Sequence, residues 1–208
     1  MAQGFDDARA FWDQRFGVPE YIFGTDPNVF LTTQAHRLRQ GDKVLDIACG
    51  EGRNSVWLAG RGCEVLGVDI SPLALEKARR LAAERGVPVT FLEGDIRHWQ
   101  WQPEIFDAVV CLFIQFAAPE DRGRLFEGFQ TTLKPGGVLL LQGYTPKQVE
   151  YKTGGPPQAE HMYTEPMLRA AFADTEILHL REHEDVLHEG TKHVGRSALI
   201  DLVARRKP

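Results

Sequence analysis

Lys43 to Gly60, KVLDIACGEGRNSVWLAG, constrains this chain more than any other stretch. Val44, Leu45 and Ile47 form a short apolar, β-branched run that reads as a buried strand. It stops at Ala48-Cys49-Gly50-Glu51-Gly52, which has to be a tight turn. A helix follows, with Asn54 able to cap its first turn and Val56, Trp57 and Ala59 at apolar positions before Gly60 and Gly62 end it. Strand, glycine loop and helix in that order let backbone N–H groups approach a ligand at a helix N-terminus.

The neighbours narrow the choice. Val65-Leu66-Gly67-Val68 is a second buried strand, ending in Asp69, nineteen residues beyond Gly50, where a carboxylate can accept hydrogen bonds from both ribose hydroxyls. A third strand, Val89 to Glu93, leads to Asp95. Three successive strands thus deliver a turn or an acid to one carboxyl edge, where ligands bind in open α/β sheets.

The loop departs from the dinucleotide pattern G-x-G-x-x-G: it reads Ala48-x-Gly50-x-Gly52, preceded by Asp46. With Asp69, Asp95, the Phe106-Asp107-Ala108-Val109-Val110 strand and Leu133-Lys134-Pro135-Gly136-Gly137, it resembles the class I S-adenosylmethionine-dependent methyltransferases, over Lys43 to Tyr144. The resemblance implies a Rossmann-like α/β fold, a seven-stranded mostly parallel sheet with helices on both faces and a reversed last strand. It implies S-adenosyl-L-methionine as cofactor. Asp46, Gly50 and Gly52 would hold its methionine part, Asp69 its ribose, and Asp95 would lie near its adenine, with Ala48, Cys49, Arg53, Asn54, Ile70, Ile96 and Leu112 beside them. Ala48 departs from the glycine of many members, a small change. Ile114-Gln115-Phe116 would face the reacting centre. That segment has no N/D-P-P-Y/F tetrapeptide, which argues against amino-directed base or glutamine chemistry.

Length and composition bound the rest. At 208 residues, 43% hydrophobic and 25% charged, the chain suits one domain. Residues 1–42 read as an N-terminal helical lid, 43–144 as the cofactor-binding core, and 145–208 as a substrate loop with antiparallel strands. A formal net charge of −5 makes any nucleic-acid surface local, and the basic run Arg205-Arg206-Lys207 reads as a solvated tail. Cys49, Cys63 and Cys111 have no C-x-x-C spacing and fit free thiols. No secretory h-region and no run near ~18 apolar residues is present, so a cytoplasmic, membrane-free protein is expected, monomeric or homodimeric.

In the N-terminal part, Phe5, Ala8 and Trp12 share a helical face over 5–16, with Asp6 and Asp7 near its start. Asp26 as N-cap with Pro27 at the first helical position predicts a helix to about Arg39. Tyr21 and Phe23 beside Gly24 read either as an aromatic staple on the sheet or as part of a lid. Pro72 to Gly86 predicts a helix with Leu73, Leu75, Ala78 and Leu81 inward and Lys77, Arg79, Arg80 and Arg85 outward. Trp99 or Trp101 reads as packing under the turn after the third strand, or as a flank for an adenine.

Beyond Pro119 to Leu133, a helix, and Val138 to Gln142, a fifth strand ending at Tyr144, residues 145–163 form a Gly/Pro-rich loop of the kind that contacts substrate. Thr164 to Phe172 predicts a helix, and Glu176 to Val186 with Ser197 to Arg205 two antiparallel strands around a hairpin near Glu189-Gly190-Thr191-Lys192. His179, His183, His188 and His193 do not make a metal site, because acids alternate with them and no thiolate is near. Tyr21, Gln115, Tyr144, His193 and Arg196 are the substrate-lining candidates, with His188 a further one at the hairpin.

No Ser/His/Asp or Cys/His constellation is apparent, and Cys49 reads as a small loop residue. Methyl transfer needs positioning and exclusion of water rather than a protein nucleophile. The short core and acidic charge favour a small-molecule substrate. EYIFGTDPNVFL and DIACGEGRNSVWLA also resemble the tellurite-resistance methyltransferase group, which implies a thiol or chalcogen oxyanion, with Arg196 or His193 to attract it. Macromolecular methylation of RNA or protein, a nicotinamide-dependent oxidoreductase and a non-catalytic cofactor-binding protein are the alternatives.

Overall fold

The computed structural model describes residues 5–208, and side chains from Asp7 onward. Met1 to Gly4, and the side chains of Phe5 and Asp6 expected on the first helix, lie outside the described residues.

The chain begins with α1 (Phe5–Phe16) and a short α2 (Val29–Thr33). It then alternates: β1 (Lys43–Ile47), α3 (Arg53–Gly60), β2 (Glu64–Asp69), α4 (Pro72–Arg85), β3 (Thr90–Glu93), β4 (Phe106–Leu112), α5 (Pro119–Thr132) and β5 (Leu133–Tyr144). After α6 (Gln148–Tyr151) and α7 (Glu165–Ala171) it closes with the long hairpin β6 (Glu176–Glu189) and β7 (His193–Arg205). The seven strands form one sheet in the order β3-β2-β1-β4-β5-β7-β6. The first five are parallel, while β7 runs antiparallel to both β5 and β6, as expected for a Rossmann-like methyltransferase sheet.

Alternation along the central strands explains the layers. On β5, Leu139 and Leu141 pack with Phe126 and Phe129 of α5 and Leu168 of α7. Val138 and Leu140 face the other way, towards Leu31 of α2 and Leu58 of α3. A strand apolar on both faces needs helices on both, and the crossovers supply them. The strand order reverses between β1 and β4, which opens a crevice at their carboxyl ends.

Three local expectations differ from the structure. Asn28, not Asp26, caps α2: its carboxamide oxygen accepts the Leu31 N–H at 3.0 Å. The helix ends at Thr33, because the Thr32 and Thr33 hydroxyls donate to the carbonyls of Val29 and Phe30, and only a 3-10 turn, Ala35–Arg37, continues it. On α4, Leu73 is exposed and Lys77 buried, its ammonium 2.7 Å from Glu51. The helix is covered on two sides, by α3 and by α1, so a lysine on its flank turns inward to a carboxylate. At the hairpin, both strands run further than expected, to Glu189 and from His193, leaving a three-residue turn.

The loop after β1 packs tightly on α4. Gly52 has φ +82°, and a Cβ there would lie 2.6 Å from the Ala78 Cβ. Gly52→Ala combines a left-handed backbone with an overfilled contact, and is expected to cost about 2–4 kcal/mol, read as a lower urea midpoint at unchanged slope.

Candidate functional site

The carboxyl ends of β1 to β5 open into one cavity of about 520 Å³, within the range of small-molecule sites. Its floor is the turn Ala48–Gly50. Both ends of that turn are left-handed, Ala48 at φ +51° and Gly50 at φ +55°, which aligns the backbone beside the cavity. Asp69 holds the turn in place: its carboxylate accepts the Gly50 N–H at 2.8 Å and the Ser71 N–H at 2.9 Å. Each oxygen keeps a lone pair beyond these bonds. Burial pushes its pKa up to about 6, against the pull of those N–H donors.

Ile70, Asp95, Ile96, Leu112, Cys49, Arg53 and Asn54 line the cavity together with Asp69. Asp95 caps the 3-10 turn Ile96–His98 and takes a forked contact from Arg97, 2.6 Å at the closest. Burial pushes the Asp95 carboxyl up, and the Arg97 hydrogen bonds and charge more than reverse this, leaving it below its ordinary value. Asn54 does not cap α3. Gly52 occupies the cap position, and the Asn54 carboxamide oxygen accepts the Asn28 N–H at 2.9 Å. The Cys49 thiol is pushed well up by burial and by Asp69 and Asp46, so it stays protonated.

Asp46 and Gly52 lie behind this floor rather than on it. Asp46 is buried, with the Ser55 hydroxyl donating to it at 2.5 Å. Burial raises its pKa to about 7, partly offset by Ser55 and Arg53.

The far end of the cavity is aromatic. Phe23, Phe113 and Tyr144 surround the imidazole of His193, with ring centroids at 4.5, 4.5 and 5.9 Å. Phe113 follows β4 directly at φ +58°. Its partner in the ring, Tyr144, is 1% exposed and its hydroxyl has no hydrogen-bond partner among the described residues. Gln115 lines the same end, but its carboxamide bridges the backbone N–H and C=O of Tyr144 at 2.5 and 2.7 Å. From outside the sheet, Trp12 and Phe16 of α1 and residues 155–158 of the Gly/Pro-rich loop cover the opening.

Three candidate residues, Tyr21, His188 and Arg196, are elsewhere. Tyr21 donates from its hydroxyl to the Lys77 carbonyl and lays its ring against Lys77 and Arg80, so it staples the N-terminal segment to α4. Phe23, two residues on, faces the cavity. Arg196 is 64% exposed, pairs with Glu184 and stacks on Tyr151, outside the cavity, because it alternates with the inward positions of β7. His188 is exposed. Neither Trp99 nor Trp101 lines the cavity: Trp99 packs on the core and Trp101 sits edge-on to Phe129 at 5.3 Å. Among the described residues no group of three or more His, Cys, Asp or Glu side chains is placed to hold a metal ion, and no helix is long and apolar enough to cross a membrane.

One partner of the site went unread in the sequence. Glu189 is buried, 2.8 Å from Arg53 and 3.0 Å from the His193 Nδ1, and it accepts from Asn28 at 3.0 Å. Burial pushes its pKa up, but His193 and Arg53 bring it down to about 2. The available signal was its place four residues before His193 across a glycine turn.

Residues 44–137 match the family described as a methyltransferase domain. Among curated proteins, the chain is 37% identical over 110 residues to the carboxy-S-adenosyl-L-methionine synthase of Chromohalobacter salexigens, covering 50% of this chain and 40% of the relative. The chain spans about two fifths of the length of the first curated relatives it matches. A solved structure from work on the conversion of a disulfide bond into a thioacetal group during echinomycin biosynthesis superposes with a TM-score of 0.77 at 21% identity, covering 98% of this chain and 92% of that one. TehB from Haemophilus influenzae superposes with a TM-score of 0.70 at 19% identity, covering 97% and 68%. At these identities both solved structures speak for the fold.

Asp46 carries a pH signature. Its pKa, near 7 folded and 3.8 as the ordinary value, means that between those pH values the folded state binds the proton that the unfolded chain has released. Stability therefore falls as pH rises through that window, by on the order of 4 kcal/mol for this group. Asp46→Asn is expected to remove that part of the decline in urea midpoints measured from pH 4 to 7.5.

Proposed function

We propose that this chain, a class I S-adenosylmethionine-dependent methyltransferase by its fold and by the methyltransferase domain at residues 44–137, transfers the methyl group of S-adenosylmethionine to a small-molecule acceptor. The observation that carries the reading is the single cavity reaching from Asp69 and the 48–50 turn to the aromatic ring around His193. The residues present fit the cofactor. The Asp69 carboxylate borders the cavity with lone pairs to spare for a diol, and the Ala48–Gly50 backbone carries no large side chain that would hold a ligand away. Trp12, Phe16 and Phe23 line the same cavity, and a sulfonium would gain about 0.5–2 kcal/mol over a suitable aromatic face. When bound, the cofactor supplies an electrophilic methyl group on a good leaving group.

The protein's own work is binding, orientation and exclusion of water. Asp69 and Asp95 orient the nucleoside end. A cavity of about 520 Å³, lined also by α1 and residues 155–158, suits a compact acceptor and supports a small substrate. A chalcogen oxyanion gains no support from Arg196, which is paired outside the cavity.

Thermal shift tests the reading. S-adenosylmethionine or S-adenosylhomocysteine at one hundred times Kd is expected to raise Tm by roughly 5–11 °C, and NADH to leave it unchanged. Asp69→Ala should weaken either adenosyl ligand at least tenfold in titration calorimetry, since two hydrogen bonds to a charged group are lost. Stabilisation by NADH instead would contradict the assignment.

A further inference from the structure

Glu189 and His193 face each other directly across β6 and β7 at the tip of the hairpin. The turn between them is fixed from outside: Gly190 has φ +60°, a Cβ on it would sit 2.3 Å from the Ile22 carbonyl oxygen, and the Thr191 N–H donates to that same oxygen at 2.8 Å. Both side chains are therefore delivered to one place. A carboxylate only accepts, so the 3.0 Å contact puts a proton on His193 Nδ1 and leaves Nε2 with its lone pair. Nε2 has no hydrogen-bond partner among the described residues, and His193, 9% exposed, borders the cavity. Glu189 is itself immobilised by Arg53 on one oxygen and Asn28 on the other. Beside His193 lies the Tyr144 hydroxyl, buried and without a hydrogen-bond partner among the described residues.

We propose that His193, positioned by Glu189, is the general base that takes the proton of a neutral thiol acceptor bound between the imidazole and the Tyr144 hydroxyl. This rests on the methyl-transfer reading and names its acceptor class. As the sulfur's electron pair forms the new bond to the methyl carbon, the acceptor's proton passes to Nε2. The electron pair of the broken carbon–sulfonium bond stays with the leaving thioether, and the imidazolium left behind is paired with Glu189.

The surroundings select a neutral, acidic X–H group. Arg53 is committed to Glu189, and Arg15, a second cation lining the cavity, lies over the Phe11 and Trp12 rings at 5.6 and 5.4 Å. An imidazole of ordinary pKa near 6.5 lies about two units below a thiol near 8.5, and much further below an aliphatic alcohol. The titratable groups facing the ring are Glu189 on β6, Arg53 on α3, Arg15 on α1 and Tyr144 on β5. Burial, Arg53 and Arg15 lower its pKa and Glu189 opposes them, with the net direction downward, so the base is free at neutral pH.

The test compares wild type with His193→Gln, using thiophenol, largely ionised at pH 7.5, and 2-mercaptoethanol, largely not. The variant should keep its thermal shift with S-adenosylhomocysteine, lose at least a hundredfold in kcat/KM for 2-mercaptoethanol, and lose less than fivefold for thiophenol. Independently of turnover, 15N NMR of the wild-type protein should show a neutral His193 protonated on Nδ1 and titrating below 6.5. Equal losses for both thiols, a proton on Nε2, or a wild type that binds S-adenosylhomocysteine but methylates neither thiol would each overturn the inference alone. A wild type that binds no adenosyl ligand would overturn the methyl-transfer reading with it.

Discussion

The buried ion pair between Arg53 and Glu189, 2.8 Å long, joins three parts of the chain that are distant in sequence. Arg53 is the first residue of α3, immediately behind the 48–52 turn. Glu189 ends β6, more than a hundred residues later. Between them passes the N-terminal segment, whose Phe23 carbonyl accepts from Arg53 and whose Asn28 carboxamide donates to Glu189 and to Gln142. A second buried pair, Lys77 with Glu51, does the same further along: Lys77 also donates to the Glu20 carbonyl, and Glu51 accepts the Phe23 N–H. Buried charges of this kind are stable only as complete sets, and removing one partner costs about 3–5 kcal/mol. The segment from residue 20 to 28 is thus set by polar contacts, and Phe23 is aimed into the cavity as a consequence.

This arrangement divides the site by origin. The end proposed for the cofactor comes from the carboxyl edge of β1 to β4, inside the segment that matches the methyltransferase domain. The end proposed for the acceptor is built largely by α1, Phe23, Tyr144, the loop at 155–158 and His193, outside residues 44–137, with Phe113 and Gln115 contributed from inside that segment. Chemistry shared across a family sits on the strand ends, while selectivity is supplied by parts that each chain adds.

The same division governs what the sequence made legible. The strand order, the glycine turn and the acids at Asp69 and Asp95 follow from local signals of apolar runs and punctuating residues, so the core could be read with its ligand edge. Contacts between distant segments leave no local trace. Lys77 on a helix looks solvated until α1 and Glu51 are placed beside it. Asn28 lost to Asp26 as a cap because the dipeptide Asp26-Pro27 is a standard start signal, whereas the buried acceptors that select Asn28 lie 114 and 161 residues away. Tyr21 and Phe23 are sent apart by the turn that the Gly24 N–H closes on the Tyr21 carbonyl at 3.0 Å, and by the cations of α4 that hold Tyr21. Arg196 and His193 were read together from the hairpin, and the pleat of β7 sends only His193 inward.

The central claim is that the Arg53–Glu189 pair unites the cofactor turn, the N-terminal segment and the hairpin. A double-mutant cycle with Arg53→Met and Glu189→Leu, followed by urea denaturation, tests it most directly. Each single change should destabilise strongly, and the double variant should be less destabilised than the sum, with a coupling of about 2 kcal/mol or more. Additive losses would show that the two side chains act independently, and that something other than this pair holds the hairpin over the site.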